Sequence, residues 1–116
     1  MAQEVTAKAR HIPVSPQKAR LVIDMVRGKD VVDALDMLTF VPNKAAQPVS
    51  KLIKSAIANA ENNVGLNRYD LFIEQITADD GPTGKWRRFG ARGRVKPRLR
   101  RTSHLSITLR QREEEA

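Results

Sequence analysis

The sequence predicts an α+β domain from which one long basic hairpin protrudes. Three segments are predicted as strands, two of them from alternating apolar and polar residues, and three others place apolar residues at helical spacing. The connection between the last two strands, from Asp79 to Ser103, is rich in lysine, arginine and glycine. A connection of this length within a small domain is expected to have secondary structure of its own.

The first strand and the first helix have clear sequence signals. Residues 4–12 alternate small apolar residues with polar ones, and Pro13 ends the strand. Ser15 and Pro16 predict a helix start, because serine caps the free N–H groups and proline lacks an N–H where none is needed. Gly28 is expected to end this helix.

Two further helices follow. The second is predicted to begin at Asp30 and to end before Pro42. The third and longest is predicted from about Asn43 to Asn63, and Pro48 inside it indicates a kink or a delayed start. Its apolar stripe predicts an ordinary core helix and consists of Ala45, Ala46, Val49, Leu52, Ile53, Ala56, Ile57 and Ala60.

Two more strands are predicted to pair with each other in antiparallel fashion. One covers residues 71–78, and the other covers 105–109, where leucine and isoleucine alternate with serine and threonine. Asp79–Asp80 before Gly81–Pro82 is typical of a turn. Because aromatic residues are only 4% of the chain, we expect a core of alanine, valine, leucine and isoleucine.

The charge of the chain is concentrated in its last third. The formal net charge is +8, yet the basic and acidic residues of segment 1–84 balance to zero. Nine lysines and arginines fall between Lys85 and Arg101 with no acidic residue among them. Such a balance favours a polyanionic partner.

The order of the cations within this run is informative. Side chains of a strand alternate between two faces, so cations at every second position would form one row, whereas a helix would scatter them. Like charges in a row repel, which makes nucleic acid the best candidate partner. A solvated or disordered tail is the alternative, and the period of two and the flanking strands argue against it. The row consists of Arg92, Arg94, Lys96, Arg98 and Arg100.

Aromatic residues lie among these cations. Trp86 and Phe89 are placed where they could stack on unpaired RNA bases. Arginine outnumbers lysine in the run, which suits forked contacts to phosphate. A β-ribbon that reads duplex DNA is also possible, although no recognition helix or zinc site is evident.

Catalysis finds little support in the sequence. The chain has no cysteine, two histidines (His11 and His104) and no phosphate-binding glycine motif, so we expect no catalytic residue, metal or cofactor. His104 is expected to hydrogen-bond to backbone or phosphate. No apolar run approaches the roughly 20 residues of a membrane span, so we expect a soluble intracellular protein without membrane contact.

Several motifs resemble those of the ribosomal large-subunit protein twenty-two family, and the resemblance covers nearly the whole chain in one register. The chain departs from the family at the hairpin tip, where it has Phe89-Gly90-Ala91 in place of Pro-Arg-Ala and Trp86 in place of arginine. The motifs are Ser15-Pro16-Gln17-Lys18-Ala19-Arg20-Leu21-Val22, Ser55-Ala56-Ile57-Ala58-Asn59-Ala60-Glu61-Asn62, Asp80-Gly81-Pro82 with Lys85, Ala91-Arg92-Gly93-Arg94, and Arg101-Thr102-Ser103-His104-Leu105.

The resemblance implies three helices packed on a small three-stranded antiparallel sheet, with a long protruding β-hairpin. It implies a non-enzymatic constituent of the large ribosomal subunit that binds rRNA, aids assembly and lines the peptide exit tunnel with the hairpin tip. The implied partners are rRNA, neighbouring ribosomal proteins and the nascent peptide, in a cytoplasmic, ribosome-bound protein that is not a homo-oligomer. The alternative is a free-standing regulatory protein that binds RNA or DNA.

The predicted organisation is a single domain, 1–116. Its globular part covers 1–79 and 102–112, its basic hairpin 80–101 and its acidic tail 113–116. The predicted rRNA-binding residues are Lys8, Arg10, His11, Ser15, Lys18, Arg20, Lys85, Arg87, Arg88, Arg92, Arg94, Lys96, Arg98, Arg100, Arg101, Thr102 and His104. The predicted tunnel-lining tip consists of Gly84, Lys85, Trp86, Arg87, Arg88, Phe89, Gly90 and Ala91.

Overall fold

The computed structural model describes residues 4–81, 84–89 and 95–112, and within these it has the predicted α+β architecture. A π-type turn at Ala60–Val64 follows the third helix, and a short 3-10 turn at Arg68–Asp70 precedes the second strand. The helices and strands are β1 (Glu4–Ile12), α1 (Pro16–Val26), α2 (Val31–Thr39), α3 (Ala46–Asn59), β2 (Leu71–Asp80), β3 (Gly84–Phe89), β4 (Val95–Arg100) and β5 (Ser103–Gln111).

The main sheet has three antiparallel strands in the order β1-β5-β2. Ile107 of the central strand lies opposite Ala7 of β1 and Ile76 of β2. Helix α1 packs on β2, and α3 packs on β1 and β5. The buried hydrophobic residues that the structure describes are all alanine, valine, leucine or isoleucine, as predicted.

The helix starts follow the sequence signals in part. Ser15 caps α1 as predicted, with its Oγ accepting from the Lys18 N–H over 3.4 Å. Asp30 precedes α2 but makes no side-chain cap, because its carboxylate accepts from the Arg112 Nε over 2.7 Å. Helix α3 has the delayed start, since Pro48 is its third residue, where an N–H would have no partner within the helix.

Two predicted boundaries were wrong. Asp79 and Asp80 are not in a turn, because they continue β2 opposite His104 and Ser103. The ladder with β5 supplies their backbone partners and outweighs the local turn preference. The α-helix of α3 ends at Asn59, before the predicted end, and the chain continues in the π-type turn.

The outer edge of β2 is covered by the helical layer. Ile73 exchanges hydrogen bonds with the α1–α2 loop, donating to the Lys29 carbonyl over 2.9 Å and accepting from the Gly28 N–H over 3.0 Å. Further along, the Arg27 Nη2 donates to the Ile76 carbonyl over 2.9 Å. These contacts satisfy backbone groups that an edge strand would otherwise leave unpaired.

Candidate nucleic-acid interface

The basic connection forms a hairpin that is separate from the main sheet. Strands β3 and β4 pair antiparallel as a two-stranded sheet, from Gly84 opposite Arg100 to Phe89 opposite Val95. The molecule measures 72 × 26 × 19 Å and has a radius of gyration of 17.5 Å. A compact domain of about 100 residues has a radius near 13 Å. The chain is therefore elongated, as the predicted protruding hairpin requires.

Cationic residues occupy half of the hairpin positions that the structure describes. β3 and β4 have six residues each, and three in each strand are lysine or arginine. Lys96, Arg98 and Arg100 take alternate positions of β4, and Lys96 lies opposite Arg88. Like charges at paired positions of a ladder are destabilising, so the ladder favours an anionic partner. The other predicted hairpin residues, Gly90, Ala91, Arg92 and Arg94, lie outside the described part of the chain.

At the root of the hairpin the two limbs are held close together. The Gly81 N–H donates to the Thr102 carbonyl over 2.9 Å. A Cβ at position 81 would collide with the Thr102 Oγ1 and would lie 3.2 Å from the Thr102 carbonyl carbon. Any residue with a Cβ at position 81 would therefore require the Thr102 side chain to move and its backbone to give slightly. The neighbouring Arg101 is exposed.

His11 and His104 meet at a β-bulge beside this root. Arg10 and His11 of β1 together face the single residue His104 of β5, and His11 has a φ of 57°. The His11 N–H donates to Nδ1 of His104 over 3.2 Å, and the two rings meet edge to face with centroids 5.0 Å apart. Of the two predicted partners of His104, backbone and phosphate, the structure provides a backbone N–H.

A buried serine that the site prediction did not include also anchors the root. Ser103 is fully buried, and its Oγ donates to the Val14 carbonyl, which joins β5 to the segment before α1. The available signal was the alternation along β5, in which position 103 shares the inward register of Leu105 and Ile107.

The predicted cations of the globule are divided between two edges of the sheet. Lys8 and Arg10 are exposed on β1, and Lys18 is exposed on α1. Arg20 instead binds β2, at the opposite edge of the sheet, where its Nε and Nη2 donate to the Ala78 carbonyl over 3.1 and 2.9 Å. Arg20 therefore provides hydrogen bonds to a backbone carbonyl at the outer edge of β2.

The remaining arginines with described side chains form ion pairs. Arg27 pairs with Asp24, Arg68 with Glu61, Arg110 with Glu4 and Glu74, and Arg112 with Asp30. A hydrogen bond from Arg68 lowers the pKa of Glu61 below its ordinary value, and one from Arg110 lowers the pKa of Glu4. None of these four arginines belongs to the predicted RNA-binding set.

Sequence reasoning missed three exposed lysines beside α3. Lys44, Lys51 and Lys54 line a groove of about 880 Å³ between α3 and the loop that precedes it. Their spacing of seven and three residues was the signal that could have found them, because it places them along one side of a helix.

The described residues contain neither a metal-binding cluster nor a membrane-spanning helix. Their histidine, aspartate and glutamate side chains form no group of three or more able to hold a metal ion. None of their helices is long and apolar enough to cross a bilayer.

An elongated, cationic α+β protein with a basic hairpin has the features of a nucleic-acid-binding structural protein. A family model described as Ribosomal protein L22p/L17e matches residues 7–110, and the chain belongs to this family. It is therefore a structural protein of the large ribosomal subunit that binds rRNA, in a family that does not consist of enzymes.

Proposed function

We propose that this chain inserts its basic hairpin into folded large-subunit rRNA, aids subunit assembly and lines the peptide exit tunnel with the hairpin tip. Most of the predicted tip, residues 84–89, forms strand β3, and Gly84 lies opposite Arg100 next to the root, so the tip is the end of the hairpin remote from that pair. The nascent peptide would pass this tip, and neighbouring ribosomal proteins would contact the globule. The protein would act in the cytoplasm, bound to the ribosome. The family membership supports the rRNA partner, and the separate cationic hairpin supports the mode of binding.

One observation carries this proposal: six of the twelve described positions of β3 and β4 are cationic, and one of the six pairs sets cation against cation. Arg88 and Lys96 are paired positions, and the described positions of β3 and β4 include no acidic residue. An isolated two-stranded hairpin is marginally stable in water, and mutual repulsion weakens it further. Phosphates on both sides of the ribbon would remove that repulsion and stabilise the hairpin.

Phosphate contacts of this kind give position without sequence readout. Contacts to the backbone fix the register and orientation of a protein on nucleic acid but read no base. Arginine, whose guanidinium offers two parallel N–H groups to a phosphate, predominates in the hairpin. The expected role is therefore to hold RNA segments in a fixed arrangement.

The salt dependence of rRNA binding tests the electrostatic part of the proposal. Each phosphate neutralised contributes about 0.7–0.9 to the slope of log affinity against log salt. If most of the nine cations between Lys85 and Arg101 engage, the slope is about six. A slope near one or two would overturn the proposal.

Replacing residues 85–99 with an Asn-Gly turn tests the hairpin directly. Gly84 and Arg100 are opposite each other in the ladder, so a two-residue turn can join them. We expect the shortened protein to fold and to co-sediment with large subunits after a high-salt wash, with altered chemical footprints in the tunnel wall. In a full-length control variant, glutamine replaces the hairpin cations. This control separates the loss of charge from the loss of hairpin length. Complete loss of subunit binding by the shortened protein would favour a free-standing RNA- or DNA-binding regulator.

A further inference from the structure

The outer side of α3 carries a cationic surface. Lys44 lies just before the helix and Lys51 and Lys54 lie on it, and all three are exposed. Lys51 and Lys54 are three residues apart on the helix and therefore about 60° from each other around its axis. Lys44 lines the same groove as both of them. The side that they occupy is opposite the stripe that buries Val49 and Ile53 in the core.

Two grooves flank this lysine ridge. The larger, about 880 Å³, lies between α3 and the preceding loop and is lined by all three lysines. The smaller, about 420 Å³, lies between α3 and the end of β1 and is lined by Lys8 and Lys51. Because Lys51 borders both grooves, the four lysines form one continuous surface, which we call the α3 lysine surface.

The α3 lysine surface has no internal counter-charge. No residue that lines either groove is acidic. Within the described residues, the five ion pairs that the structure forms all involve arginine, and these four lysines take part in none of them. Clustered cations without carboxylates repel one another, and an anionic ligand relieves that repulsion.

We propose that the α3 lysine surface binds a strand of rRNA phosphates independently of the hairpin, an inference that rests on the proposed rRNA-binding function. At helical rise the ten residue steps from Lys44 to Lys54 would cover about 15 Å, a length over which a strand presents more than one phosphate. The linings lack aromatic residues, which protein interfaces favour. They offer polar groups instead, among them Asn43, Gln47 and Ser50.

The test compares the salt dependence of rRNA binding between the wild type and a triple variant with Lys44→Gln, Lys51→Gln and Lys54→Gln. Loss of three phosphate contacts lowers the log–log slope by about two to three. The matched control pair is Lys51→Gln and Lys29→Gln, since Lys29 is exposed but lines neither groove. We expect the log–log slope to fall by about 0.7–0.9 for Lys51→Gln and to stay unchanged for Lys29→Gln.

Amine acetylation of intact large subunits gives an independent readout. Lys44, Lys51 and Lys54 should be protected, whereas Lys29 should react. An unchanged slope in the triple variant overturns the inference, and if the lysines are nevertheless protected, a protein neighbour covers them. A wild type that binds rRNA without steep salt dependence contradicts the proposed function itself, which distinguishes the two failures.

Discussion

The backbone N–H of His11 donates to the Nδ1 of His104 over 3.2 Å across a β-bulge at the root of the hairpin. Both histidines were predicted to bind RNA, and the structure gives them a role in the fold. Their ring contact and hydrogen bond hold β1 against β5 where the regular ladder is interrupted.

Replacing His104 tests this role. His104→Ala removes the acceptor and should lower the free energy of unfolding by about 0.5–1.5 kcal/mol. His104→Asn should lose less, because its side-chain oxygen can occupy the place of Nδ1. Urea unfolding of the three proteins measures the difference. Equal losses in both variants would show that the hydrogen bond contributes nothing.

The Arg20 guanidinium should matter for stability even where its charge is preserved. Arg20→Lys cannot donate two N–H groups to the Ala78 carbonyl in the same fork, so we expect a loss of about 1 kcal/mol of unfolding free energy. Lys18→Ala, an exposed change on the same helix, should stay within about 0.5 kcal/mol of the wild type. Chemical denaturation at fixed pH provides the comparison. Should Arg20→Lys unfold like the wild type, the contact to Ala78 is dispensable.

Gly81→Ala should destabilise the junction between globule and hairpin. The new methyl group would press on Thr102, and overpacking of this kind costs about 1–3 kcal/mol. A double-mutant cycle with Thr102→Ala measures the coupling, since removal of the Thr102 side chain relieves the nearest collision. Additive losses would mean that the two positions do not touch in solution.

The Glu61–Arg68 pair predicts a pH dependence with a definite sign. Arg68 lowers the pKa of Glu61 in the folded protein, so the pair stabilises the fold at pH values above the ordinary carboxyl value of 4.5. That stabilisation is lost as the pH falls from 4.5 to values below the lowered pKa of Glu61, where the carboxylate is protonated. The stability difference between wild type and Glu61→Gln should therefore be constant near neutrality and shrink in acid. A stability difference between the two proteins that does not change with pH would contradict this role of the Glu61–Arg68 pair.

Local sequence signals predicted the elements and the antiparallel pairing of β2 with β5, but not the full extent of that pairing. Ser15 and Pro16 predicted the start of α1, and the alternation at Leu105, Ile107 and Leu109 predicted β5. Both signals could be recognised because they depend only on residues close together in the sequence. The extension of β2 through Asp80 depends on β5, more than twenty residues further along the chain. No local preference contains that information.

The same limit applies to the candidate site. The cations of the hairpin were predicted as RNA contacts because they are dense and regular in the sequence. Whether Arg20 faces RNA or a backbone carbonyl depends on where β2 lies against α1, which its neighbours in sequence do not specify. The lysines beside α3 were overlooked because an exposed helix side is ordinarily just solvated.

The central position of β5 sets the order in which the protein can fold during its own synthesis. The contact between His11 and His104 spans 93 residues, so β1 has no ladder partner until the last strand has been translated. Contacts this distant in sequence form slowly. The main sheet therefore cannot be completed before both cationic limbs, which precede β5 in the chain, have been made.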